Sequence, residues 1–132
     1  MMNKIPVLAG CFLSLLIIVF PAHAQGGKAE PKRIEFKPGT VSALLSGTLS
    51  NGQEMDYVFA AKAGQVIKVT NRTNGLFDFR IFRDEAGVET EFESSRTLTV
   101  DLPQSGDYLF FVRKKQVKAP RSGRYSINIE IK

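Results

Sequence analysis

Histidine and cysteine each occur once in this chain, and tryptophan not at all. Both single residues fall in the first 24 positions. Lys4 precedes an apolar run from Val7 to Phe20, and Ala22-His23-Ala24 forms a small-x-small cleavage site ahead of Gln25. This is the tripartite form of a secretory signal peptide. The run is shorter than the roughly 20 residues that span a bilayer. Leu8-Ala-Gly-Cys11 resembles a lipoprotein box, which makes Cys11 a candidate for lipidation. It sits at the wrong end of the apolar core, however, and cleavage there would leave nine apolar or small residues on the product.

Cleavage after Ala24 takes 24 of the 132 residues and leaves 108, enough for one domain with a single core. The expected organisation is a signal peptide over residues 1–24, a flexible Gly- and Pro-containing leader over 25–32 and one folded domain over 33–132. With Cys11 and His23 removed, that domain has no disulfide, thiol nucleophile or imidazole base. Ser/His/Asp and Cys/His catalysis are excluded, as are zinc sites built from Cys and His. No Gly-rich phosphate loop joins a strand to a helix. Losing Lys4 leaves 17 of the 18 basic residues against 13 acidic ones, a balance of +4. That suits a partner with an acidic surface but is too mild to imply nucleic acid. The expectation is a non-enzymatic, exported protein with no cofactor and no metal.

Alternation is abundant. Phe77, Phe79 and Ile81 share one face while Asp78 and Arg80 take the other. Leu98, Val100 and Leu102 repeat the pattern. Tyr125, Ile127, Ile129 and Ile131 oppose Ser126, Asn128, Glu130 and Lys132. Pro38-Gly39, Asn51-Gly52, Ala63-Gly64 and Asn74-Gly75 mark turns. Tyr108 to Arg113 is apolar on both faces, as in a central strand. Beyond the signal peptide no window has helical periodicity. About eight short strands at roughly ten-residue spacing predict an all-β fold, a single antiparallel β-sandwich of jelly-roll-like form.

The acidic group Asp84, Glu85, Glu89, Glu91 and Glu93 offers paired carboxylates to a glycoside hydrolase or oxygens to calcium. It lacks the spacing of a calcium loop, and a solvated hairpin explains it better. Asn71-Arg72-Thr73 matches the N-glycosylation triplet, which a bacterial export signal leaves idle.

The other candidate is "LPQSGDYLFFVRKK", Leu102 to Lys115. Ser105 and Gly106 form a tight turn, and Tyr108 opens the next strand with its hydroxyl near the strand's mouth. Arg113, Lys114, Lys115, Lys118, Arg121 and Arg124 follow. A rigid polar loop beside a basic stretch fits an acidic, sugar-cleaving groove, with hydroxyls for its carboxylates and cations to steer the encounter. The plainer alternative is a turn that ends one strand and starts the next, with Leu102 and Tyr108 as core residues and Lys and Arg as a solvated edge that blocks strand pairing.

Ser46-Gly47, Asp56-Tyr57-x-Phe59-x-Ala61, Ala63-Gly64-Gln65, "LPQSGDYLFFV" and "YSINIEIK" together span residues 34–132. On these residues the chain resembles the periplasmic inhibitors of g-type lysozyme, the related i-type inhibitors and the wider pre-peptidase C-terminal-like sandwiches. The resemblance implies an exported inhibitor that binds lysozyme as its protein partner, in the periplasm or secreted, and inserts a Ser-Gly-x-Tyr loop into the enzyme's groove. It nominates Ser105, Gly106 and Tyr108; Asp107, at the variable position between them, joins the candidate contact, with Arg113, Lys115 and Arg121 as flanking cations. The family's later Arg-x-x-Ala-Arg segment reads differently here: Gln116 stands at the first arginine, and Ala119-Pro120-Arg121 replaces Ala-Arg. A non-inhibitory envelope sandwich that binds glycan or protein is the alternative.

Overall fold

A computed structural model describes residues 30–73, 75–94 and 96–132. The expected signal peptide, with Cys11 and His23, lies outside the described residues, as do the first five residues of the expected leader. Nine strands follow in order: β1 (Lys32–Arg33), β2 (Ser42–Ser50), β3 (Glu54–Ala61), β4 (Gln65–Asn71), β5 (Phe77–Arg83), β6 (Val88–Glu89), β7 (Thr97–Leu102), β8 (Gly106–Lys114) and β9 (Ser122–Ile131). Asp84–Ala86 forms a 3-10 turn between β5 and β6. Two sheets face each other, one ordered β1-β3-β8-β5-β6 and the other β2-β9-β4-β7. Nine strands replace the expected eight or so because β1 and β6 are two-residue pairings too short to show in an alternation. β1 is also the one parallel pairing among the described residues, Lys32 opposite Tyr57. All others are antiparallel.

Alternation builds the core. Tyr57 and Phe59 of β3, Phe77, Phe79 and Ile81 of β5, and Tyr108, Phe110 and Val112 of β8 point inward from one sheet. Ile67 and Val69 of β4 with Tyr125, Ile127 and Ile129 of β9 point inward from the other. Each fully buried Phe, Ile or Val contributes about 1.5–3 kcal/mol. Rings stack along the first layer, Phe59 on Tyr108 with centroids 5.5 Å apart and Phe79 on Phe110 at 6.0 Å. As expected, β8 is the middle strand of its sheet, between β3 and β5.

One polar link crosses the interior. The hydroxyls of Tyr57 and Tyr125, on opposite sheets, lie 2.6 Å apart. Burial pushes both phenols above their ordinary values. Gly47 lies opposite Tyr125 in the β2–β9 ladder, and a Cβ there would stand 2.6 Å from the Tyr125 hydroxyl oxygen. The ring therefore reaches Tyr57 across a gap that only glycine leaves open.

β8 positions everything that follows. It has nine residues, so at about 3.3 Å per residue its ends stand roughly 26 Å apart. Gly106 pairs with Ala61 at one end, and Arg113 with Glu54 near the other.

Candidate functional site

Pro103 has no N–H with which to continue the β7 ladder, and the chain turns through Gln104 and Ser105 into β8. Ser105 is exposed. Its Oγ accepts a hydrogen bond from the Ala63 amide at 2.9 Å, so the hydroxyl proton remains for donation to another acceptor. Its carbonyl accepts from Arg83 Nη1 at 2.9 Å. Gly106 follows with φ of 136°, a region L side chains rarely adopt. A Cβ there would lie 2.7 Å from Arg83 Cζ. The turn therefore needs glycine twice over, for its dihedral and for the guanidinium packed against it.

Asp107 is exposed and takes two hydrogen bonds from Arg33, at 3.2 and 2.6 Å. These bonds hold its carboxyl below the ordinary value against a smaller opposing effect of burial, with the Arg33 and Arg83 charges adding to the lowering. Arg83 ties the tip together. Besides Ser105 it reaches Glu85 at 3.3 Å, and its Cζ lies 5.2 Å from the centroid of the Tyr108 ring. Beside the tip lies a shallow cleft of about 330 Å³ lined by Phe82, Arg83, Asp84, Glu85, Asp107 and Leu109.

Tyr108 follows the plainer of the two readings, as a core residue. Its hydroxyl does not stand free at the strand's mouth, because the side chain is fully buried. It shares the inward parity of Phe110 and Val112, and its ring stacks on Phe59. The hydroxyl turns back on its own loop, donating to the Gln104 carbonyl at 2.6 Å and accepting from the Gln104 amide at 3.1 Å. The nominated quartet thus divides into an exposed surface, Ser105-Gly106-Asp107, and a buried strut.

The flanking cations stand elsewhere. Arg113, Lys115 and Arg121 lie at the far end of β8 and in the connection to β9, so the structure does not bring them to the tip. Arg113 and Lys115 share Asp78, at 3.3 and 3.8 Å, and the Arg113 guanidinium stacks 3.8 Å from the centroid of Phe92. Lys114, expected among the solvated cations, is fully buried. Its Nζ donates to Asn51 Oδ1 at 2.7 Å and to the Lys115 carbonyl at 2.9 Å. Asn51 also donates Nδ2 to the Val117 carbonyl at 2.7 Å and its amide to the Arg121 carbonyl at 2.8 Å. One asparagine therefore holds the whole basic connection, a role hidden behind its reading as half of an Asn-Gly turn.

Glu89 and Glu91 of the acidic group line an open cleft of about 530 Å³ with Arg80, Thr90 and Phe92. Glu89 is exposed and bonded to Arg80 at 2.7 Å, Glu91 is exposed, and Glu93 is held by its backbone against Phe79. Among the described residues no three His, Cys, Asp or Glu side chains converge to hold a metal ion.

The structure is thus a two-sheet sandwich that presents a pinned, glycine-dependent polar turn. Neither a protein-family model nor a curated protein sequence matches the chain. Solved structures do. The periplasmic inhibitor of g-type lysozyme from Aeromonas hydrophila, PliG, superposes with a TM-score of 0.64 at 26% identity, over 77% of this chain and 96% of that one. PliG from Salmonella Typhimurium gives 0.63 at 27% identity, over 80% and 100%. The pre-peptidase C-terminal domain of a Bacillus anthracis collagenase shares the fold at 0.53 and 15% identity, over 82% and 100%. The resemblance to the g-type inhibitors and to the pre-peptidase-like sandwich therefore holds in three dimensions.

Proposed function

We propose that the chain is an exported, periplasmic protein inhibitor of a g-type lysozyme and not an enzyme. The observation that carries this reading is the structural likeness to two inhibitors of that enzyme class over nearly their whole length, at 26% and 27% identity. Ser105, Gly106 and Asp107 form the contact that enters the groove. The Ser105 hydroxyl donates to a carboxylate of the enzyme, since glycosidases of this kind carry two such groups flanking the scissile bond. Tyr108 acts from behind as the strut of the turn. Arg113, Lys115 and Arg121, roughly 26 Å away, steer an acidic partner toward the sandwich instead of lining the same groove.

The test is turnover of purified g-, i- and c-type lysozymes in the presence of the chain from Gln25 onward. Stoichiometric loss of g-type activity is expected. Full activity of all three enzymes, together with retention of the chain on purified peptidoglycan, would replace this reading with that of a non-inhibitory envelope module.

A further inference from the structure

A second feature lies far from the tip, on the four-stranded sheet. β4 ends at Asn71, whose amide donates to the Arg96 carbonyl at 2.8 Å. The next residue, Arg72, donates its amide to the Ser126 carbonyl at 2.9 Å. Asn71 Oδ1 accepts from the amide and the hydroxyl of Thr73, at 3.0 and 2.8 Å, and sets the turn. Arg72 and Arg96 are thus mounted on fixed backbone on either side of a cleft of about 340 Å³, with Thr70, Asn71 and Asn128 completing its wall. Arg124, two residues before Ser126 on β9, shares the outward parity of Asn128 on the same face of the sheet.

All three arginines are exposed. Among the described residues no carboxylate pairs with any of them. The outward residues around them on β2, β4, β7 and β9 are Ser46, Thr48, Thr70, Thr97, Ser126 and Asn128. The first acid along β9 is Glu130, and it pairs with Lys132. The protein's other arginines at strand ends behave differently: Arg33, Arg83 and Arg113 each hold a carboxylate.

We propose that this cleft binds a phosphoryl group. A guanidinium fork matches phosphate oxygens two at a time. Two guanidiniums exceed what one carboxylate neutralises, and they suit a group with three or four acceptor oxygens. The Thr70 hydroxyl and Asn128 amide offer further donors. The cleft is larger than the ion, so the phosphoryl group arrives on a carrier, either a lipid head group or a soluble saccharide. This site is independent of the lysozyme reading, because it shares no residue with the tip.

The test is an NMR titration of the chain from Gln25 onward with inorganic phosphate and pyrophosphate at constant ionic strength. Saturable shifts are expected at Thr70, Arg72, Arg96 and Asn128. Affinity should fall about tenfold or more in R72Q and in R96Q, the loss of one charge-assisted pair each, and vanish in the double variant. Both side chains are exposed, so the melting temperature and lysozyme inhibition stay unchanged. Shifts that fail to saturate, that chloride reproduces, or that survive in the double variant overturn the proposal. Sedimentation with phosphatidylglycerol vesicles then separates the carriers. Cosedimentation that the double variant loses assigns a lipid head group, and phosphate binding without cosedimentation assigns a soluble carrier. Vesicle binding without phosphate binding also overturns the proposal.

Discussion

Ser105→Ala and Tyr108→Phe each remove one hydroxyl from the same turn, yet the structure assigns them opposite consequences. Ser105 Oγ makes one hydrogen bond at an exposed site. Water replaces that bond, so the loss sits at the low end of the usual range, about 0.5 kcal/mol. For a domain of about 100 residues this lowers the melting temperature by roughly 2–4 °C. The same hydroxyl, donating to an ionised carboxylate of the enzyme, is worth about 1.5–3 kcal/mol, a weakening of inhibition by roughly 10- to 150-fold. The Tyr108 hydroxyl makes two bonds, both to Gln104, from a fully buried side chain. Its removal costs about 1–3 kcal/mol and lowers the melting temperature by roughly 4–24 °C. Inhibition well below that temperature should weaken less than about tenfold, because the exposed surface is intact. The assays are thermal unfolding and inhibition of g-type lysozyme on the same preparations. Wild-type inhibition by the Ser105→Ala variant refutes the contact. Unaltered stability with lost inhibition in the Tyr108→Phe variant refutes the strut, and the phenol would then have to meet the partner directly.

Three further outcomes follow from the polar interior and the surface pairs. Tyr57 and Tyr125 have folded pKa values raised above the ordinary value of about 10. The stability they hold is therefore intact below pH 10 and lost as pH climbs toward the folded values. Absorbance titration should show these two phenols failing to ionise near pH 10 in the native protein and doing so in urea. Asp107 has a lowered folded pKa through Arg33, so its contribution is present above about pH 4 and disappears as pH falls through the folded value. For a pair this exposed the contribution is small, and denaturant curves of Asp107→Asn and wild type should differ slightly at neutral pH and converge in acid. Lys114→Met strips Asn51 of a buried donor, with an expected loss of about 1–3 kcal/mol and faster proteolytic cleavage between Lys115 and Arg121.

The alternation of Tyr125, Ile127, Ile129 and Ile131 foretold β9 almost residue for residue, and the two-sided apolar run foretold the central place of β8. Yet that run concealed the strand's parity. With Leu109 and Phe111 apolar as well, the stretch left Tyr108 open to both readings, core residue or hydroxyl at the strand's mouth, and its even spacing from Phe110, Val112 and Lys114 decides for the core once the sheet exists. The same parity buries Lys114, against the expectation that a lysine run is solvated. Adjacency in sequence misled in a second way. Ser105 and Arg113 are eight residues apart, but an extended strand converts eight residues into opposite ends of the molecule. The contacts that make the tip rigid, Ala63 with Ser105, Arg83 with Ser105 and Arg33 with Asp107, join β-elements distant in sequence, and no local signal encodes them.

Rigidity is what a domain without disulfides must obtain by other means if a short turn is to block an enzyme. Ordering a loop on binding costs roughly 0.5–1.5 kcal/mol for each immobilised side chain, so a floppy tip would spend much of its contact energy on becoming ordered. Here the turn is already ordered by contacts within the chain. Arg83 sits at the inward parity of Phe77, Phe79 and Ile81 but at the strand's end, where its guanidinium escapes the core. There it covers the Tyr108 ring, bonds the Ser105 carbonyl and fills the space beside Gly106. Tyr108 grips the same turn from below through Gln104. An inward phenol and an end-of-strand arginine thus do the work of a cross-link, and the Ser-Gly-x-Tyr spacing acquires a physical reason. Serine meets the solvent, glycine admits the arginine, and tyrosine, two residues on, returns to the core with its hydroxyl still within reach of the turn.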